Sequence, residues 1–351
     1  MKLHHNRLFS ASLFFLSGLL LVSDSNVVPV FAQDVATEAE TETVDIPALQ
    51  AAAEKGDAEA QLYLGMRYSM GEGVPQDDRQ ALKWLQMAAK QKNYQAQYIL
   101  SIYCMEGRAV AKNEEMGLRL LQSAATGGFA EAQYEYATYL SENEKVEEAI
   151  PWMEKAVAQG YVPAQTALGL YYVSTAKQGT PEMEKGMTYL TLSATEGDLD
   201  AQTTLGATFL ELGDNVAGIV WLEVAGMNGD KEVATSVKGV EAKPEEYFEV
   251  ATIFLTGDGI IPKSYDKCKF WAEKAAAENH AGAQFLLGTY YTSGINHELD
   301  LVKGAEFLQK SAAQGHAEAQ FMLALSYRNG RGVTADTKKS LQYLQLAAKQ
   351  N

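Results

Sequence analysis

Apolar and small residues recur along this chain in blocks of roughly 36 residues, anchored on the dipeptide Ala-Gln. It stands at Ala60-Gln61, Ala96-Gln97, Ala132-Gln133, Ala164-Gln165, Ala201-Gln202, Ala283-Gln284 and Ala319-Gln320. The glutamine steps are 36, 36, 32, 37, 82 and 36. The long step hides an eighth block, where Glu246-Tyr247 replaces Ala-Gln while Gly257-Asp258-Gly259 and Trp271 keep their places. Three residues after the glutamine, or Tyr247, come Leu64, Leu100, Tyr136, Leu168, Leu205, Val250, Leu287 and Leu323. One residue later every block is small: Gly65, Ser101, Ala137, Gly169, Gly206, Ala251, Gly288 and Ala324. Spacings of three, four and seven share one helical face, so each block opens with an amphipathic helix.

The second half of each block repeats the logic around one large residue: Trp84, Leu120, Trp152, Tyr189, Trp221, Trp271, Phe307 or Tyr343. A small residue lies three before it and small pairs such as Ala88-Ala89 and Ala275-Ala276 follow. Large beside small is what two closely crossed helices need. Strands would require alternation by two, and none is sustained. Gly71-Glu72-Gly73, Gly257-Asp258-Gly259 and Gly330-Arg331-Gly332 supply the turns between helices. Shorter turns are expected near Glu142-Asn143-Glu144 and Gly213-Asp214-Asn215.

The run from Ala58 to Val74, A-x-A-Q-x-x-L-G-x-x-Y-x-x-G-x-G-V, followed by A-x-x-W-x-x-x-A-A, resembles the Sel-one-like repeat family, the longer-looped relative of tetratricopeptide repeats. The resemblance covers about residues 46–351 and implies an all-α fold, a right-handed α-solenoid of about eight helix-turn-helix units. The units fall near 57–90, 93–125, 129–159, 161–196, 198–229, 243–279, 280–315 and 316–351. Ile46 to Glu54 reads as a helix closing the N-terminal end. Residues 231–246 form an irregular insertion, where Pro244 is expected to loosen or bend the local helix pair.

Residues 1–32 read as a signal peptide: Lys2 and Arg7, an apolar stretch from Leu8 to Val22, and Val30-Phe31-Ala32 ahead of the cleavage point. Residues 33–45 hold five acids and no base, an acidic disordered leader. Cleavage leaves the chain one charge more negative than its full-length −16, which disfavours nucleic acid and anionic lipid as partners. No later segment is expected to insert in a membrane. Cys104 and Cys268, four repeats apart, are expected to be free thiols. No Asn-x-Ser/Thr sequon occurs, which favours a bacterial periplasm, with secretion as the alternative.

No catalytic motif, metal set or cofactor fingerprint is found, so no enzyme activity and no cofactor are expected. His280 and His316, one repeat apart, read as solvent-exposed turn residues. Positions two, five and nine after the glutamine face away from the core at 100° per residue. They offer apolar candidates for partner binding at Tyr63, Met66, Met70, Ile99 and Ile102, and again at Leu286, Met322 and Leu325, with polar Glu135, Thr138 and Glu142 between. The resemblance implies a protein or peptide partner in a concave groove lined by the first helices. It further implies a scaffold or adaptor in envelope signalling, polysaccharide export or envelope-complex organisation; a secreted host-interaction factor is the alternative, and a hydrolase is less favoured.

Overall fold

The computed structural model describes residues 45–350, and the expected signal segment lies outside them. Among the described residues there are eighteen α-helices and no strand. Two compact units divide the chain, the first ending at Leu192 and the second beginning at Ser193. In the first, α1 (Ile46–Glu54) precedes the pairs α2 (Ala58–Met70) with α3 (Asp78–Lys90), α4 (Tyr94–Glu106) with α5 (Glu114–Thr126), and α6 (Ala130–Glu142) with α7 (Val146–Val157). Next come α8 (Val162–Thr175) and α9 (Pro181–Thr195), whose last turn crosses the division. The second unit holds α10 (Leu199–Glu211) with α11 (Asn215–Met227), a short α12 (Lys231–Ser236), and α13 (Pro244–Thr256) with α14 (Tyr265–Ala277). It ends with α15 (Ala281–Ser293) beside α16 (Leu301–Ala313), and α17 (Ala317–Asn329) beside α18 (Thr337–Ala348). The fold is an all-helical repeat architecture of paired helices.

Each pair crosses where the small column sits. A Cβ built on Gly65 would lie 2.8 Å from Leu85 Cγ, and one on Gly288 would lie 2.7 Å from Leu308 Cγ. The side chain filling the crossing is therefore the leucine after the large residue, rather than the large residue itself. Turning between helices needs glycine for two separate reasons. Gly71 ends α2 in the left-handed region at φ +76°, whereas a Cβ on Gly332 would fall 1.8 Å from the carbonyl oxygen of Leu301.

The recurring glutamine has a structural task that its spacing alone does not reveal. Its side-chain amide donates to a carbonyl at the end of the preceding helix: Gln61 to Ala53 (3.0 Å), Gln133 to Ala125 (3.2 Å), Gln202 to Ala194 (2.9 Å) and Gln320 to Ala312 (3.2 Å). Its Oε1 then accepts from the end of its own pair's second helix: from Gln91, Gln159, Asn228 and Gln350 at 2.8–3.0 Å. One buried amide thus ties three successive helices, adding a second donor to a last-turn carbonyl that already accepts from the glycine beyond the helix. Where Tyr247 replaces glutamine, its hydroxyl donates to Val240 O (3.0 Å) and accepts from Ala242 N (2.9 Å). The landmark is exchanged, and a comparable tie survives.

That tie corrects the expectation for residues 231–246. Pro244 does not bend a helix: it occupies the first turn of α13, where its missing N–H costs nothing. Val237, on a single 3₁₀ turn after α12, is fully buried in the cluster of Val250, Phe254 and Trp271. The Lys274 ammonium donates to the carbonyls of Lys238 (3.0 Å) and Val240 (3.1 Å), holding the insertion down.

Candidate functional site

In the first unit, α2, α4 and α6 lie side by side. The Tyr103 hydroxyl on α4 donates to Ser69 Oγ on α2 at 2.9 Å, and the Tyr98 ring packs 5.4 Å from Phe129, the residue that opens α6. On the face turned from the paired helices, Tyr63 is 53% exposed and Met70 42%. Met66 and Ile102 are half-buried, and Met66 rests on the cluster of Leu62, Leu85 and Leu100. Ile99 departs from the expectation. It is 7% exposed and belongs to that same cluster, so its side chain is not offered to a partner. The reason is angular: two residues after the glutamine, a side chain leans toward the preceding repeat's first helix. Tyr63 has only the short α1 before it and stays in water.

Glu135 holds the position in α6 that Ile99 holds in α4. It is half-buried, and burial, then the charge of Glu142 two turns on, raises its carboxyl above the usual range. Burial also pushes the Tyr98 hydroxyl well up, and the charge of Glu135 adds to that rise. The Thr138 hydroxyl is committed to the Tyr134 carbonyl within its own helix. In the second unit Leu286, Met322 and Leu325 are all half-buried, Leu286 against the Trp271 cluster and Met322 against Leu323. The first unit therefore presents the more exposed of the two apolar faces.

The remaining chemistry-bearing residues serve the repeat. His280 and His316 are not simply exposed turn residues: each caps a helix and stacks on an aromatic. Their Nδ1 atoms accept from Ala283 N (3.1 Å) and Ala319 N (3.4 Å), and their rings pack 4.7 Å from Phe248 and 4.8 Å from Phe285. Elsewhere the same position holds a pure cap, Asp57 or Asn93, or a pure stacking ring, Phe129 or Tyr161. Histidine does both jobs. Cys104 and Cys268 are free; Cys268 is fully buried, which pushes its thiol up to about 11 and removes the thiolate that reactivity needs. Among the described residues no group of three or more His, Cys, Asp or Glu is placed to hold a metal. An open depression lined by Lys92, Tyr94, Gln97, Arg119 and Ser123 lies on the flank of α4 and α5 and contains none of the residues expected to bind a partner.

Sequence reasoning missed Glu223. It is fully buried on α11, accepts from the Trp271 indole and forms an ion pair with Lys267. The available signal was a lone charge inside the apolar run Ile219 to Ala225.

Seven stretches match the family model described as the Sel1 repeat: residues 58–93, 95–129, 130–161, 162–198, 247–280, 281–316 and 317–351. The pair α10–α11 falls outside them yet keeps the glutamine tie through Gln202 and Asn228. Among solved structures, the chain is similar to a protective antigen of uropathogenic Escherichia coli displaying an SLR fold, at 25% identity and TM-score 0.49. The match covers 88% of this chain, which spans 65% of that antigen's length. It is also similar to a Sel1 repeat protein from Oxalobacter formigenes, at 23% identity and TM-score 0.41, over 93% of this chain and 95% of that one. An immunity protein from Pseudomonas aeruginosa matches at 17% identity and TM-score 0.35, over 63% and 81%. No curated protein matches the sequence significantly.

Proposed function

The chain belongs to the Sel1 repeat family, whose members are generally protein-interaction scaffolds, and from that premise we propose that it is an exported, non-enzymatic scaffold that captures a protein or peptide on the first-helix face of its N-terminal unit. The observation that carries this reading is the pairing of an exposed Tyr63 with an exposed Met70 on one face of α2, flanked by half-buried Met66 and Ile102. A tyrosine offers rigid contact area, and methionines adapt to an imperfectly matched partner. Contiguous apolar surface of this kind marks interaction sites. The conversion of the histidines and of Cys268 to structural duties supports a scaffold over an enzyme. Export rests on the Lys2–Arg7 start and the Leu8–Val22 stretch. No helix among the described residues is long and apolar enough to cross a membrane. The periplasm is the compartment this reading assigns, with a role in envelope signalling, polysaccharide export or envelope-complex organisation.

A photo-crosslinking amino acid at position 63, activated in cells and followed by mass spectrometry, tests the reading. One dominant crosslinked protein, lost when Met70→Ala is added, is the expected outcome; crosslinks spread without preference would overturn it. Fractionation of the same cells places the chain in periplasm or medium, and recovery in the cytoplasm would remove the export half of the proposal.

A further inference from the structure

We infer that the occupant of this face is a chain segment carrying lysine or arginine next to its apolar anchor, the cation reaching Glu135. This deepens the reading above and rests on it. The wedge between successive first helices is an apolar position in α4, where Ile99 fills it. Its counterpart in α6 is a carboxylate, half-buried beside the Tyr98 ring. A carboxylate taken partly out of water needs a partner, and among the described residues Glu135 forms no ion pair. Glu142, two turns further on the same face, is exposed and likewise forms none.

Cations of the same unit are paired with other acids: Arg108 with Asp78 at 2.7 Å, Arg119 with Glu115 at 2.5 Å, and Lys145 with Glu148 at 3.8 Å. The result is an unneutralised carboxylate pair adjoining an apolar strip. The raised proton affinity of Glu135, caused by burial and then by Glu142, is the same imbalance seen from the carboxylate. A guanidinium or ammonium arriving from the groove relieves both terms, since a charge-assisted bond replaces lost hydration and the repulsion is cancelled. An acidic or neutral ligand leaves the carboxylate uncompensated and is disfavoured. Tyr63, Met66 and Met70 on α2, with Ile102 on α4, form the apolar half, and Glu135 with Glu142 on α6 the acidic half.

The test pans a displayed random-peptide library on the full mature chain, on Glu135→Gln and on Tyr63→Ala/Met70→Ala. Glu135→Gln keeps the shape and removes the charge, and circular dichroism melting checks that each variant folds. Peptides taken by the unsubstituted chain should be enriched in lysine or arginine beside apolar residues. Their affinity should fall about tenfold or more on Glu135→Gln. If the selected peptides need Tyr63 and Met70 but show no basic enrichment, or bind Glu135→Gln equally, the inference fails and the groove reading stands. If nothing selected depends on Tyr63 and Met70, both fail together.

Discussion

The indole N–H of Trp271 donates to the Glu223 carboxylate at 2.8 Å, between two side chains that are both fully buried. The second oxygen of Glu223 pairs with Lys267, one turn before Trp271 on α14. A charge at 0% exposure is tolerated there only because both its oxygens are used. Removing the acid strands a cation and an indole N–H, so Glu223→Ala should cost about 3–5 kcal/mol of the second unit's stability. Trp271→Phe leaves the ion pair and most of the ring's packing and should cost less. Urea titrations followed by circular dichroism check the order; a milder effect of Glu223→Ala would refute this account.

The glutamine ties make a graded prediction. Gln133 uses both ends of its amide, toward Ala125 O and from Gln159, whereas the buried Oε1 of Gln165 has no hydrogen-bond partner. Gln133→Met loses both of these hydrogen bonds and should therefore cost about 1–3 kcal/mol. Gln165→Met, which loses less, should be the milder of the two. Thermal melting of both variants decides this, and equal shifts would mean that the amide is present for its shape alone.

A pH effect follows from His280. Burial lowers its proton affinity, Glu245 opposes this, and His316 adds to the lowering. Facing it are therefore one acid from α13, one imidazole at the start of α17, and the Phe248 ring. Protonation also removes the lone pair that accepts from Ala283 N and sets a cation at a helix N-terminus. Because the folded state binds this proton less readily than the unfolded one, the contribution is complete above the unfolded value of about 6.5. It declines as pH falls through that value toward the lower folded one. Half-buried Glu135 and exposed Asp200, whose carboxyls both lie above the usual range, act in the opposite sense, so the comparison must be made within one background. His280→Asn keeps a cap of the kind Asn93 provides and should lose less stability than the unsubstituted chain between pH 7.5 and 5.5. Parallel slopes in urea midpoints would exclude His280 as the source.

Ile99 and Tyr63 separate packing from recognition. Ile99→Ala opens the cluster of Leu62, Leu85 and Leu100 and should cost about 2–5 kcal/mol. Tyr63→Ala, at an exposed position, should stay within about 0.5 kcal/mol while weakening peptide capture. Melting and binding measured on the same two proteins test the division. A Tyr63 variant that unfolds would show that the ring belongs to the core.

The repeat, its helices and their turns were written in the sequence, because a period of 3.6 with small residues at fixed offsets allows only paired, closely crossed helices. Even the closing helix at Ile46–Glu54 was legible, since Asp45 and Pro47 mark its start as a cap and a first-turn proline. What the period could not say is which neighbour each outward side chain meets. It placed Ile99 in the groove, left the recurrent glutamine as a landmark without a task, and passed over Glu223 altogether. It also read Pro244 as a bend where the backbone begins a helix, and two histidines as solvent-exposed turn residues where each has a ring beneath it and an amide to accept from. Periodicity is a property of one helix alone; burial, side-chain ties and charge pairing depend on helices about 26 to 48 residues away in sequence, as Gln159 is from Gln133 and Trp271 from Glu223. Only the tertiary structure brings those partners within reach.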